Sequence, residues 1–186
     1  GHCALQAGLV FFAREDITRI PVTERVRKGL AISPEGRRLF KDLSVEDNLR
    51  VGGVIHPTSF YAKDRERVLT LFPRLGERLN SLAGNLSGGE QQMLAIGRAL
   101  MTRPKLIMID ELSLGLMPKV IDQCYQALKL LRSEGMTVLL VEQNTERALA
   151  TADDVCVLES GATVWRGSAV DARNDPTLAA AYLGLH

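Results

Sequence analysis

The sequence has few cysteines, few aromatic residues and no long apolar segment. Its three cysteines, Cys3, Cys124 and Cys156, are odd in number and far apart, which excludes a disulfide scaffold and a four-cysteine zinc site. The longest unbroken apolar run, Leu178–Leu183, has six residues. A helix that spans a bilayer needs about 20 apolar residues, so the sequence predicts no membrane span.

An excess of charge of either sign is also missing. The 23 Lys and Arg residues nearly balance the 22 Asp and Glu residues and leave a formal net charge of +1. This balance gives no electrostatic reason to expect nucleic acid as a partner, and we predict none. Hydrophobic residues make up 46% of the 186 residues, which is typical of a folded domain with its own core.

Short apolar runs alternate with longer amphipathic segments. The runs predict strands at Gly8–Ala13, Leu30–Ser33, Leu106–Ile109, Met136–Val141, Val155–Leu158 and Thr163–Trp165. The amphipathic segments predict helices at Pro21–Lys28, Ser44–Leu49, Tyr61–Phe72, Gln91–Met101, Pro118–Glu134 and Thr145–Ala152. This alternation indicates an α/β fold whose parallel sheet is covered by helices on both faces.

The stretch 41–86 differs from the rest of the chain. It has helical periodicity and no convincing strand. We therefore predict an all-helical lobe, residues 41–86, inserted into the α/β core of a single domain that occupies residues 1–186.

The segment Ser87-Gly88-Gly89-Glu90 precedes a predicted helix. Two glycines at that position leave backbone N–H groups accessible, and the helix dipole and the Ser hydroxyl add to a site suited to phosphate. The alternative is a flexible turn in which Glu90 complements the helix dipole.

Two acidic residues, Asp110 and Glu111, follow the apolar strand Leu106–Ile109. Ligands of parallel sheets bind beyond the carboxyl ends of the strands. Asp110 could hold Mg²⁺ there, and Glu111 could polarise an attacking water. The alternative is a solvated acidic turn.

These segments form one continuous pattern. Leu86–Gln92 is followed by Gly97–Leu100, by Pro104 and by the apolar run that ends in Asp110-Glu111. The pattern resembles the ABC-transporter ATPase family, in which the first segment contains the signature motif and Leu106–Asp110 is the Walker B strand. The resemblance implies a P-loop NTPase-like core with an inserted helical lobe.

Flanking motifs extend the resemblance. Ser33–Phe40 resembles the loop that joins the ATPase core to the helical lobe and senses the permease, with Glu35 where most of the superfamily has Gln. Ser113–Leu116 resembles the D-loop. Val141–Asn144 resembles the switch region, with Gln143 where most members have His.

The resemblance assigns roles to individual residues. It implies that Ser87, Gly88, Gly89 and Glu90 contact ATP bound by a second subunit, that Asp110 holds Mg²⁺, that Glu111 and Gln143 act in hydrolysis, and that Glu35 belongs to the coupling loop. A Gln side chain is no general base, so Gln143 would at most orient water or phosphate. Simpler readings make Glu35 an ordinary loop acid, Gln143 a cap for the following helix, and Cys124 and Cys156 core residues.

Glu35, Gln143 and the D-loop-like segment, together with Ala181–Gly184, are similar to one branch of the family, the ATP-binding subunits of branched-chain amino-acid importers. That branch implies ATP and Mg²⁺ as cofactors. It implies membrane permease subunits and a second ATPase subunit as partners. It also implies a cytoplasmic position, peripheral at the inner face of the cell membrane.

The sequence departs from the family in three places. The phosphate loop has the form G-x-x-x-x-G-K-[ST], and this sequence contains no Gly-Lys dipeptide. Family members place that loop upstream of the region with which this chain begins, so we expect a chain without the N-terminal strands and the phosphate loop, inactive alone. Leu112 stands where the family usually has Pro, which leaves the placement of Glu111 open, and Met117 replaces a small residue.

Two functions remain open on these residues. One is the ATP-hydrolysing subunit of an importer. The other is a non-hydrolysing binding module that supplies its signature motif to an intact ATPase partner. In the family sheet the phosphate-loop strand lies between Met136–Val141 and Val155–Leu158, so we also expect self-association of this chain through bare sheet edges.

We predict that the purified chain does not bind ATP at micromolar concentration. Each charge-assisted hydrogen bond of a phosphate loop contributes about 1.5–3 kcal/mol, so its loss weakens binding by several powers of ten. Titration with a fluorescent ATP analogue and Mg²⁺, with light scattering for mass, checks this and should give no saturation and a dimeric or larger mass. Tight, Mg²⁺-dependent binding would contradict the prediction.

Overall fold

The computed structural model describes residues 5–178. The chain divides into two compact units, Gly1–Leu139 and Leu140–His186. The predicted importer-like segment Ala181–Gly184 and Cys3 lie outside the described residues. Within residues 5–178, no helix combines the length and the apolar character required to cross a bilayer.

The elements alternate broadly as the sequence predicts. The helices are α1 (Val22–Arg27), α2 (Val45–Gly52), α3 (Tyr61–Leu71), α4 (Pro73–Gly76), α5 (Gly88–Leu100), α6 (Pro118–Ser133), α7 (Thr145–Thr151), α8 (Ala169–Asn174) and α9 (Pro176–Leu178). The strands are β1 (Phe11–Phe12), β2 (Glu15–Asp16), β3 (Leu30–Ser33), β4 (Leu106–Asp110), β5 (Thr137–Val141), β6 (Asp154–Glu159) and β7 (Ala162–Ser168). Short 3₁₀ turns occupy Thr58–Phe60 and Ala83–Asn85.

The sheet that organises the first unit has the order β3-β4-β5. β3 and β4 run parallel, with Leu30 opposite Leu106 and Ser33 opposite Ile109, so the predicted parallel pairing is confirmed. Helix α5 packs against both strands and is buried over most of its length, including Leu94 and Ile96 at 0% exposure. The central strand and α5 therefore form the core of this unit.

The prediction that helices cover both faces of the sheet is wrong for β5. Leu139 and Val141 are 51% and 55% exposed. Among the described strands, β5 has only β4 as a sheet neighbour. The strand is largely apolar, but the described part of the chain covers only about half of each of these two side chains.

Residues 41–86 contain helices α2, α3 and α4, the two 3₁₀ turns and a single isolated bridge between Ser44 and Leu82. Ser44 caps α2, since its Oγ accepts the Asp47 N–H at 3.0 Å. The predicted helical character is confirmed. That this stretch forms a separate inserted lobe stays a prediction.

A carboxylate joins α2 to α3. Glu46 accepts the Tyr61 hydroxyl at 2.8 Å and Arg65 Nε at 2.6 Å. Burial, together with the hydrogen bond to Glu46, raises the pKa of Tyr61. The phenol is therefore neutral at physiological pH and acts as a donor that holds the two helices together.

Asn48 is a fully buried polar residue that the sequence analysis did not single out. Its Oδ1 accepts the Phe40 N–H at 3.1 Å, and its Nδ2 donates to the Phe40 and Ser44 carbonyls, each at 2.9 Å. The amide thus ties the segment that enters the helical stretch to α2. Both its carbonyl oxygen and its NH₂ group are hydrogen-bonded, as burial requires.

The second unit has its own small core. Strands β6 and β7 form the predicted antiparallel hairpin. Leu149, Ala169, Ala172 and Leu178 are buried together, with Trp165 packed against them. Helix α8 is absent from the sequence prediction. Cys124 lies in the core of the first unit, where burial raises its pKa to about 12, but Cys156 is exposed, so its predicted core position is wrong.

Asn48→Ala should destabilise the protein by about 2–4 kcal/mol, because a fully buried side chain loses several hydrogen bonds and the Phe40 backbone groups lose their partner. The measurement is urea denaturation, with a lower midpoint at an unchanged m-value. The exposed Asn80 is the matched control, and Asn80→Ala should stay within about 0.5 kcal/mol of the unaltered chain. A loss for Asn48→Ala no larger than the control's would contradict this role.

Candidate functional site

The signature-like turn, residues 87–90, forms the start of α5. Ser87 is the N-cap: its Oγ accepts the Glu90 N–H at 3.3 Å, and Glu90 Oε2 accepts the Ser87 N–H at 2.9 Å and the Ser87 hydroxyl at 2.8 Å. This reciprocal pair is a capping box. The sequence analysis placed the two glycines before the helix, but α5 begins at Gly88. The spacing Ser87-x-x-Glu90 was the signal that could have located this start.

Glu90 is held in place by its surroundings. Its side chain is 12% exposed, with Arg74 at 3.8 Å and Arg78 at 4.0 Å. Burial would raise its pKa, but the hydrogen bonds from Ser87 and the charges of Arg78 and Arg74 outweigh burial and lower it. The carboxylate is therefore ionised at the positive end of the α5 dipole, where a negative charge is favourable.

The two glycines have different surroundings. A Cβ on Gly89 would lie 2.6 Å from Val120 Cγ1, so this glycine permits the close approach of α5 and α6. A Cβ on Gly88 would lie 3.4 Å from Arg37 Nη2 and 3.7 Å from Leu116 Cδ2. Gly88 is thus the point where the signature-like turn, the loop after β3 and the D-loop-like segment meet.

Two amide groups at this point lack a partner among the described residues, one on the half-buried Gly88 and one on the buried Gly89. In residues 5–178, the N–H groups of Gly88 and Gly89 have no hydrogen-bond acceptor. Unpaired N–H groups in the first turn of a helix are the usual binding groups for phosphate. The guanidinium of Arg37 adds a positive charge beside them.

The loop after β3, residues 34–38, adopts an unusual backbone. Gly36, Arg37 and Arg38 have φ angles of 71°, 63° and 43°. The left-handed conformation costs about 1–2 kcal/mol for each residue other than glycine. Arg98 compensates from α5, donating from Nη2 to the Arg37 carbonyl at 3.3 Å and to the Arg38 carbonyl at 2.8 Å.

The side chains of this loop have different surroundings. Arg37 donates from Nε to Gln92 Oε1 and from Nη1 to Gln91 Oε1, each at 3.3 Å. Glu35 and Arg38 are exposed. Of these two adjacent arginines, only Arg37 has a side chain that reaches α5.

Asp110 and Glu111 lie at the end of β4, as the sequence predicts. Both are half-buried, and neither carboxylate bonds to a described residue. Glu111 has a φ of 49°, and the following Leu112 is 0% exposed. Leu112, which stands where the family usually has Pro, is thus buried directly after the turn that carries Glu111.

The carboxylates of Asp110 and Glu111 suit Mg²⁺ as part of a ligand set. Mg²⁺ is commonly bound by one or two carboxylates, with phosphate and water oxygens completing the shell. The described residues contain no group of three or more His, Cys, Asp or Glu side chains that could hold a metal ion. Asp110 and Glu111 therefore fit Mg²⁺ that arrives with a nucleotide.

Gln143 lies in the second unit, in the turn before α7, with its side chain exposed. Its N–H donates to Glu142 Oε2 at 3.1 Å. The cap of α7 is Asn144, whose Oδ1 accepts the Arg147 N–H at 3.1 Å. The reading of Gln143 as a helix cap is therefore wrong, and its role in hydrolysis stays a prediction.

Comparison with known proteins identifies the family. Residues 1–113 match the profile of the family described as ABC transporter. The high-affinity branched-chain amino acid transport ATP-binding protein BraG of Pseudomonas aeruginosa is 47% identical over 178 residues, which cover 96% of this chain and 76% of BraG. This chain belongs to the ABC transporter family of ATP-binding proteins.

Other members of the ABC transporter family show the same likeness. The probable branched-chain amino acid transport ATP-binding protein LivF of Archaeoglobus fulgidus is 35% identical, over 91% of this chain and 72% of LivF. The crystal structure of MJ1267, an ATP-binding cassette of an ABC transporter in its ADP conformation, matches with a TM-score of 0.81 and 25% identity. That match covers 96% of this chain and 78% of MJ1267. The predicted P-loop NTPase-like ABC ATPase fold is confirmed.

Gly89→Ala should destabilise the ABC fold of this chain by about 1–3 kcal/mol, because the added methyl group overlaps Val120 and forces α5 from α6. The matched control is Gly76→Ala, where a Cβ meets nothing within 4 Å. Thermal unfolding followed by circular dichroism should show a lower midpoint for Gly89→Ala and an unchanged midpoint for the control. Equal midpoints for the two variants would show that α5 and α6 are not in tight contact at Gly89.

Proposed function

We propose that this chain is an ATP-binding subunit of an ABC importer for branched-chain amino acids, and that its signature turn, residues 87–90, contacts ATP held by a second subunit. The observation that carries the proposal is the start of α5. Two unpaired N–H groups, on Gly88 and Gly89, lie at the positive end of a 13-residue helix with Arg37 beside them. This is an arrangement for binding phosphate oxygens.

The same proposal assigns the residues at the end of β4. Asp110 holds Mg²⁺ together with the nucleotide phosphates, and Glu111 orients and polarises the attacking water. Both carboxylates are free of other described partners, which supports these roles. Gln143 orients water or phosphate through its amide. Transfer of the phosphoryl group depends mainly on positioning and charge.

The substrate assignment rests on the relatives. BraG and the LivF protein carry names of branched-chain amino acid transport, and Glu35 and Gln143 are the residues by which this sequence is similar to that branch.

The sequence contains no Gly-Lys dipeptide, which a phosphate loop requires. The chain is therefore expected to hydrolyse no ATP when it is alone.

An apolar surface around α2 supports a permease as partner. Phe40, Leu43, Val51 and Ile55 are between 36% and 49% exposed, and Val54 is 76% exposed. Clustered exposed apolar side chains mark protein–protein contact surfaces. Together with Glu35 in the neighbouring loop, this surface is the proposed permease contact. A subunit bound there would be cytoplasmic and peripheral at the inner face of the cell membrane, which is part of the proposal. The exposed side chains of β5 support self-association in the absence of partners.

Titration of this chain into purified P. aeruginosa BraG with ATP and Mg²⁺ tests the proposal. We expect a saturable increase in ATP hydrolysis and no hydrolysis by this chain alone. Gly88→Asp should lower the increase at least about tenfold, since its carboxylate would repel phosphate and pair with the adjacent Arg37. Gly76→Asp adds the same charge at an open position and should behave as the unaltered chain.

The same titration separates the two functions that the sequence leaves open. If Glu111→Gln in this chain lowers the increase, the chain contributes its own hydrolytic residues to the site. If Glu111→Gln has no effect while Gly88→Asp abolishes the increase, the chain is a binding module that supplies only its signature turn. No increase with the unaltered chain would refute both.

A further inference from the structure

We propose that Arg37 is a positioning residue that sets the geometry of the signature turn and makes it depend on the conformation of loop 34–38. The inference rests on the proposed function of that turn. It assigns to one side chain the connection between a loop beside the proposed permease surface and the amides at the start of α5.

The first support is the forked contact of the guanidinium. Nε and Nη1 donate to Gln92 and Gln91, and Nη2 lies next to Gly88. A planar group with two such bonds fixes an orientation as well as a distance. Both bonds are 3.3 Å long, beyond the usual 2.9–3.0 Å, so each is weaker than a typical hydrogen bond.

The second support is the burial of Gln92. Its side chain is 4% exposed, and its Nε2 has no hydrogen-bond partner in the described structure. The bond from Arg37 is the polar contact that the side chain has in the interior. Burying an amide is unfavourable unless it is hydrogen-bonded, so the place of Gln92 in α5 depends on Arg37.

The third support is the path from Gln91 to the chain before the turn. Gln91 accepts from Arg37 with Oε1, and its Nε2 donates to the Ala83 and Leu86 carbonyls at 3.3 and 3.2 Å. Arg37 is thus connected to both sides of the signature turn. Gln91 connects it to the residues before the turn, and Gln92 connects it to the helix after the turn.

The fourth support is the state of the loop itself. Three successive residues, Gly36 to Arg38, are left-handed, and such strained backbone persists only where the surroundings hold it. Arg98 holds the Arg37 and Arg38 carbonyls from further along α5 and lies over the Phe40 ring, 5.3 Å from its centroid. Loop 34–38 is therefore attached to α5 at two points, and a change of loop conformation withdraws or returns Arg37.

The test compares Arg37→Gln, Arg37→Lys and Arg38→Gln. Arg38 is the matched control because it has the same charge, lies in the same loop and engages α5 through its carbonyl alone. Gln92→Leu is a second route to the same loss, since it removes the partner of Arg37 while keeping the site filled and apolar.

Two readouts are measured on the full chain. The first is amide hydrogen exchange at Glu90 and Gln91, which should accelerate about tenfold in Arg37→Gln, Arg37→Lys and Gln92→Leu and not in Arg38→Gln. The second is the titration into BraG with ATP and Mg²⁺. There the maximal rate should fall about tenfold while the half-saturating concentration stays within about twofold, because a positioning residue changes the rate and not the association. A merely structural loss would lower the thermal midpoint and raise the half-saturating concentration together.

The outcomes separate the two proposals. Equal exchange at Glu90 and Gln91 in Arg37→Gln and Arg38→Gln would overturn the inference, whatever the titration shows. The inference would also be overturned if Arg37→Gln lowers the maximal rate and Arg37→Lys keeps the full rate. A lysine ammonium supplies the charge without the forked pair of hydrogen bonds. If the unaltered chain leaves hydrolysis unchanged, the proposed function fails, and the exchange contrast alone decides whether Arg37 sets the turn.

Discussion

The reciprocal hydrogen bonds between Ser87 and Glu90 determine where α5 begins, and the rest of the site depends on that start. Because the cap is Ser87, the two glycines lie in the first helical turn with their N–H groups unpaired. The same start places Gly89 against Val120 and Gly88 beside Arg37.

Buried polar side chains connect this helix to its surroundings. Asn48 fixes the entry to α2 with all of its hydrogen-bonding groups used. Gln92 is only partly satisfied and depends on Arg37. A fully satisfied buried amide rigidifies a fold, whereas a partly satisfied one stabilises it less. The helical stretch is therefore held firmly at its entry and more weakly at the signature turn.

Much of the architecture could be predicted from local patterns. The bounds of β3 are as predicted, and those of α3, α6 and the β6–β7 hairpin differ from the predictions by at most a few residues. Apolar periodicity and turn residues act over a few positions, so they are readable without a structure. The covering of β5 was not predictable in this way, because exposure of Leu139 depends on what packs there and not on the strand's own composition.

The sequence by itself determined the family, the order of the elements and the segments that carry the chemistry, because the motif from Leu86 to Glu111 is continuous along the chain. Tertiary structure alone decided which neighbours those segments meet. Arg37 lies 55 positions from Gln92 and 61 from Arg98, and no local pattern distinguishes it from Arg38. The difference arises because the left-handed loop directs one guanidinium towards α5 while the other remains in solvent, and that direction is fixed only when β3 and α5 pack together.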